Sequence, residues 1–106
     1  MTKFKFYNNA VIGRGHSSPN VCGEISAGFY IVLSYLCDTD HILKYVLEDN
    51  SGFSYFIGDE DNITTTAVDS YYRSLSTWIK DYEEDEVQIE RVYEILKLEN
   101  WDENNY

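Results

Sequence analysis

The stretch Gly15-His16-Ser17-Ser18-Pro19-Asn20-Val21-Cys22, continued by Gly23-Glu24-Ile25-Ser26, decides how this chain is read. Upstream of it, Phe, Tyr, Val and Ile fall in short runs over residues 3–7 and 10–15, split by the turn signal Asn8-Asn9. Two strands, paired as a hairpin, are expected there. Downstream, Val21, Ile25, Phe29, Val32, Leu33 and Leu36 recur at three- and four-residue spacing, which predicts an amphipathic helix. Pro19 suits the first turn of that helix, because its missing N–H has no partner to lose there. The stretch also sets one of two histidines and one of two cysteines across a short turn. A thiol at a helix start lies near unpaired backbone N–H groups and the positive end of the helix dipole, and both favour thiolate. An imidazole at the end of the preceding strand can take its proton. Cys22 and His16 are therefore a candidate nucleophile–base pair.

Each of these residues also has a plain packing role. Cys22 fits as a small hydrophobe on the inner face of the helix, and His16 as a solvated turn residue. Ser26, one turn after Cys22, suits close packing better than a hydrogen bond to a thiolate. Small residues (Gly23, Ser26, Ala27, Gly28) cluster in the first half of the helix. Gly28 in a helix interior costs about 1 kcal/mol, which close approach of another element would explain.

The remainder alternates strands and one further helix. Residues 43–48 and 53–57 flank Asp49-Asn50-Ser51-Gly52, a strong hairpin signal. Residues 58–65 read as a polar loop, and Thr66-Ala67-Val68-Asp69 as an acidic variant of the capping box. Behind it, Val68, Tyr72, Leu75, Ile79 and Tyr82 mark a second amphipathic helix. Val87 to Val92 read as a last strand, and residues 93–98 either extend it or form a short helix. The expected fold class is α+β: two helices on one face of a mainly antiparallel sheet, in the order β-β-α-β-β-α-β. Residues 1–98 read as a single domain, and residues 99–106 as an acidic tail with an exposed Trp101.

Composition narrows the possibilities. The chain has 106 residues, enough for one modest core, and ten Tyr, five Phe and two Trp to build it on. No apolar run is long enough to cross a bilayer, and residues 1–7 alternate where a signal peptide would be apolar, so a cytoplasmic protein is expected. On a continuous helix Cys22 and Cys37 stand about 22 Å apart. A disulfide needs Cα atoms closer than about 7 Å, so both thiols are expected to be free. The same separation rules against a zinc site built from His16, Cys22, Cys37 and His41, and neither metal nor cofactor is expected. Cys37 reads as a core residue and His41 as a loop histidine.

The net charge is −11, and residues 81–106 hold ten carboxylates against Arg91 and Lys97. Such a surface repels nucleic acid phosphates and attracts basic partners, and no membrane partner is expected. Glu83, Glu84, Asp85 and Glu86 form its densest part and are the candidate acidic interaction surface. A solvating role for these charges is the plain alternative.

The element order, with Gly15-His16 closing an early strand and Val21-Cys22 opening a helix with Ser26 four residues later, resembles the ribosomal-processing cysteine protease Prp family. This resemblance implies Cys22 as nucleophile and His16 as base, with Gly15 and Ser26 in support. It also implies endoproteolysis of a ribosomal or phage structural protein. The sequence departs from that pattern in having only residues 17–21 between His and Cys, where the family carries a longer, glycine- and aspartate-containing loop. Two other readings stand beside it. One is a catalytically inactive relative encoded by a phage or mobile element, an inhibitor that mimics nucleic acid as an anti-CRISPR protein does. The other is an acidic assembly protein. Partners on these readings are a protein substrate, a basic protein or a second copy of the chain, with no direct nucleic-acid binding.

Overall fold

The computed structural model describes residues 1–16, 19–48, 52–80 and 86–105, and side chains at all of these except 19–22, 48 and 105. Five strands and two long helices alternate: β1 (Thr2–Phe6), β2 (Ala10–Gly15), α1 (Pro19–Asp38), β3 (Ile42–Glu48), β4 (Phe53–Gly58), α2 (Asn62–Ile79) and β5 (Val87–Arg91). This is the α+β order expected from the sequence. The strands form one sheet in the order β3-β4-β2-β1-β5. Three of its pairings are antiparallel, and only β1 with β5 is parallel.

Antiparallel pairing of β4 with both β2 and β3 leaves β2 and β3 parallel, so α1 is the crossover between them. The same logic makes α2 the crossover from β4 to the far edge strand β5. Both helices pack on one face of the sheet. Period-two alternation sends Phe4 and Phe6 of β1, Val11 of β2 and Phe56 of β4 to that face, against Ile25, Phe29, Leu33 and Leu36 of α1 and Val68, Tyr71 and Leu75 of α2. Each such side chain removed from water contributes about 1.5–3 kcal/mol. The close approach expected at Gly28 is met by Tyr71: a Cβ at position 28 would stand 2.9 Å from the Tyr71 ring.

The opposite face is covered by the chain after β5. Tyr7, Ala10, Ile12, Phe53, Tyr55 and Ile57 form a second cluster with Leu96, and Trp101 packs on it. Asn9 holds this covering segment. Its buried amide donates to the Gly58 carbonyl (2.8 Å) and the Leu96 carbonyl (2.9 Å), and its side-chain oxygen accepts from the Leu96 N–H (2.8 Å).

Several local expectations are corrected. Helix α2 starts at Asn62, not after Thr66, because the Asp61 carboxylate accepts the Thr64 N–H (2.9 Å) and caps it. Trp101 is half-buried against Tyr55, with ring centroids 4.8 Å apart, instead of exposed. Cys37 is exposed instead of in the core, since it falls on the outer face of α1. The last strand stops at Arg91, and the chain then turns under the sheet into a short 3-10 turn, Leu98–Asn100. The Val21 side chain, Tyr82 and residues 49–51 lie outside what the structure describes. Among the described residues, no helix is long and apolar enough to cross a membrane.

Candidate functional site

The end of β2 is shaped by Gly15. Its φ of 98° lies in a region that L side chains rarely adopt, and a Cβ there would stand 2.1 Å from the Met1 carbonyl oxygen. The pairing of Thr2 with Gly15 brings the two chains this close. Glycine at position 15 therefore lets the chain leave the end of β2 and present His16. The His16 ring in turn lies over Gly52 at the foot of β4. A Cβ at position 52 would be 2.6 Å from His16 Nε2 and 2.9 Å from the Gly15 carbonyl oxygen. Gly52 also has a positive φ, 66°, and its carbonyl accepts the Gly15 N–H at 3.0 Å. Two glycines on neighbouring strands thus set the backbone on either side of one imidazole.

His16 borders a cavity of about 210 Å³ between the end of the sheet and the first half of α1. Its floor is apolar, from Phe4, Ile25 and Phe29, and its rim carries His16, Ser26 and Tyr30. Such a volume is below the roughly 300–1,000 Å³ of a typical small-molecule site and fits a single bulky side chain of a longer ligand. Ser26 of α1 and His16, which follows β2, line the same cavity, as does Gly15. Tyr30 at the rim is 40% exposed, with its ring edge-on to Phe29. Neither Gly52 nor Tyr30 stands out in the sequence beyond a turn signal and a helical aromatic.

Cys22 is the fourth residue of α1, within its first turn, where backbone N–H groups lack intrahelical acceptors. Its side chain lies outside the described residues. Of the acidic stretch, Glu83, Glu84 and Asp85 also lie outside them. Glu86 is half-buried, and its carbonyl accepts the Thr2 N–H at 2.8 Å. Further along, Glu90 stands 3.9 Å from Lys5 Nζ, and Glu103 accepts the Tyr55 hydroxyl at 2.9 Å.

No protein-family model matches the sequence, and no curated protein matches it. Solved structures do. The essential ribosomal processing protease Prp from S. aureus, in complex with a covalently linked product peptide, superposes with a TM-score of 0.74 at 18% identity. The same protease in complex with a substrate peptide gives 0.74 at 15% identity. In both, the match covers 87% of this chain and 100% of the other. This chain has the Prp fold. A hypothetical protein from Staphylococcus aureus shares it as well, with a TM-score of 0.67, 14% identity and the same coverage.

Proposed function

We propose that this Prp-like chain is a cysteine endopeptidase acting on a protein substrate, with Cys22 as nucleophile and His16 as its base. The observation that supports this reading most directly is the convergence of His16 and Ser26 on one apolar-floored cavity at the N-terminal end of α1. The shared fold with a protease crystallised with peptides agrees with it.

The chemistry follows from the parts. His16 takes the thiol proton of Cys22, and the sulfur forms a bond to the scissile carbonyl carbon. The carbonyl oxygen becomes an oxyanion, stabilised by backbone N–H groups of the first turn of α1 and by the helix dipole. Collapse breaks the C–N bond, and the imidazolium of His16 returns the proton to the leaving amine. Water then attacks the thioester, with His16 accepting its proton. The carboxylic acid product leaves and the thiol is restored. Gly15 and Gly52 act as positioning residues for the imidazole. Ser26 supports the thiolate from one turn further along the helix. A bulky substrate side chain fills the cavity over Phe4, Ile25 and Phe29. Ribosomal or phage structural proteins carrying a removable segment are the substrate class.

Incubation with bacterial ribosomal-protein precursors and phage capsid precursors tests the reading. Wild type should cleave at one site, and Cys22→Ser and His16→Ala should each lose at least about a thousand-fold in rate. Melting temperatures should stay near wild type. Cleavage that survives Cys22→Ser would refute the assignment, and no cleavage by wild type would favour an acidic binding protein on the same fold.

A further inference from the structure

At the opposite end of the β3–β4 hairpin from His16, three metal-ligating side chains converge. His41 precedes β3, and Asp59 and Asp61 lie between β4 and α2. His41 Nδ1 stands 2.7 Å from Asp61 Oδ2 and 3.5 Å from Asp59 Oδ2. One ligand atom from each residue lies within 4.8 Å of the other two. Nδ1 is shielded from solvent and makes no hydrogen bond, although Asp61 Oδ2 stands only 2.7 Å away, so that oxygen lies off the direction of a ring N–H. An ion pair of protonated histidine would aim the N–H at one of the oxygens. An oxygen set to the side of the ring nitrogen, with a second carboxylate nearby, is instead what a shared cation in front of it requires. With bonds of about 2.1 Å, ligand atoms around such an ion stand roughly 3.0–3.4 Å apart, so the 2.7 Å pair must open slightly and the 3.5 Å pair close slightly to admit one.

The backbone holds these residues in place before any ion arrives. The His41 N–H donates to the Leu36 carbonyl (2.7 Å), and the His41 carbonyl accepts the Asp59 N–H (2.9 Å). Asp61 uses Oδ1 to cap α2 through the Thr64 N–H, which leaves Oδ2 turned toward His41. Gly58 permits the close turn, since a Cβ there would stand 2.5 Å from the Thr64 methyl and 3.1 Å from the His41 carbonyl oxygen. A donor set fixed by its own scaffold binds with little reorganisation.

We propose that His41, Asp59 and Asp61 form a binding site for a divalent cation of the zinc type. One imidazole nitrogen with two carboxylate oxygens suits Zn²⁺, whereas Mg²⁺ and Ca²⁺ favour oxygen-only sets. His41 binds through the Nδ1 lone pair, with its proton on Nε2. The ion ties the α1–β3 turn to the start of α2, at a distance from the His16 cavity, and stabilises the folded state by mass action.

Titration of Zn²⁺ into the ¹⁵N-labelled full chain tests this. Saturable one-to-one shifts are expected at the amides of His41, Asp59 and Asp61 and at His41 Nδ1. Asp59→Asn, which leaves the Asp61 cap intact, should weaken binding at least about tenfold, and His41→Gln should do the same should the first variant fold poorly. Three results would overturn the proposal: no shift at these residues up to millimolar Zn²⁺, shifts unchanged by both substitutions, or shifts confined to His16, Cys22 or Cys37.

Discussion

The ring of His16 and the backbone of Gly52 are in direct contact, so closely that a methyl group at position 52 would overlap Nε2 at 2.6 Å. The imidazole proposed to serve Cys22 is thus positioned by a glycine from a different hairpin. Gly52→Ala should displace it. The expected result is a fall in kcat of about tenfold or more, with KM nearly unchanged, because a misplaced base affects chemistry more than substrate docking. The positive φ adds a stability loss of about 1 kcal/mol. Steady-state kinetics beside thermal melts would separate the two effects.

Asn9 supplies a second expectation. Replacing it with Ala leaves the Leu96 N–H and the carbonyls of Gly58 and Leu96 without their buried partners. The loss should be about 3 kcal/mol, a large part of the stability of a domain this size. Denaturant melts measure it directly. Release of the covering segment should also raise the fluorescence change of Trp101, which leaves its packing on Tyr55.

The pH dependence at the alkaline end follows from Tyr71. Burial pushes its phenol well above the ordinary value of 10, while its hydroxyl donates to the Ile25 carbonyl at 3.2 Å. A group whose folded pKa is raised contributes stability that is fully present below the unfolded value. That contribution is lost as the pH rises past 10, where the unfolded chain gains by ionising and the folded one does not. Tyr71→Phe should cost about 1 kcal/mol at pH 7 and lose less stability than wild type between pH 9 and 11. Chemical denaturation at these pH values checks both.

The sequence carried the fold well where hydrophobic period was clean. Alternation in β1 and the three–four spacing in α1 arise from burial on one face, and the short apolar runs of β2 and β4 from burial on both, which are local properties of the pattern. The start of α2 was hidden because Ile63, Thr64 and Thr65 are β-branched and read as non-helical. The Asp61 cap and the packing of Val68 override that weak preference. Trp101 looked exposed because its neighbours in sequence are polar, whereas its partner Tyr55 comes from a central strand. At the site, Gly15 and His16 were legible as a motif closing a strand. Gly52 was not, since its role depends on β4 lying beside β2. The convergence of His41 with Asp59 and Asp61 was invisible for the same reason: two turns meet only once β3 and β4 pair.

Activation of Cys22 by His16, as proposed, is read from the reactivity of the thiol itself. Alkylation of each cysteine by iodoacetamide, followed by mass spectrometry across pH 5–10, tests it most directly. Cys37, exposed on the outer face of α1, is the internal reference. Cys22 should react faster than Cys37 at neutral pH, with an apparent pKa below the free-cysteine value of about 8.5, and His16→Ala should abolish that advantage. Equal, slow reaction of both thiols, or a fast Cys22 indifferent to His16→Ala, would contradict it.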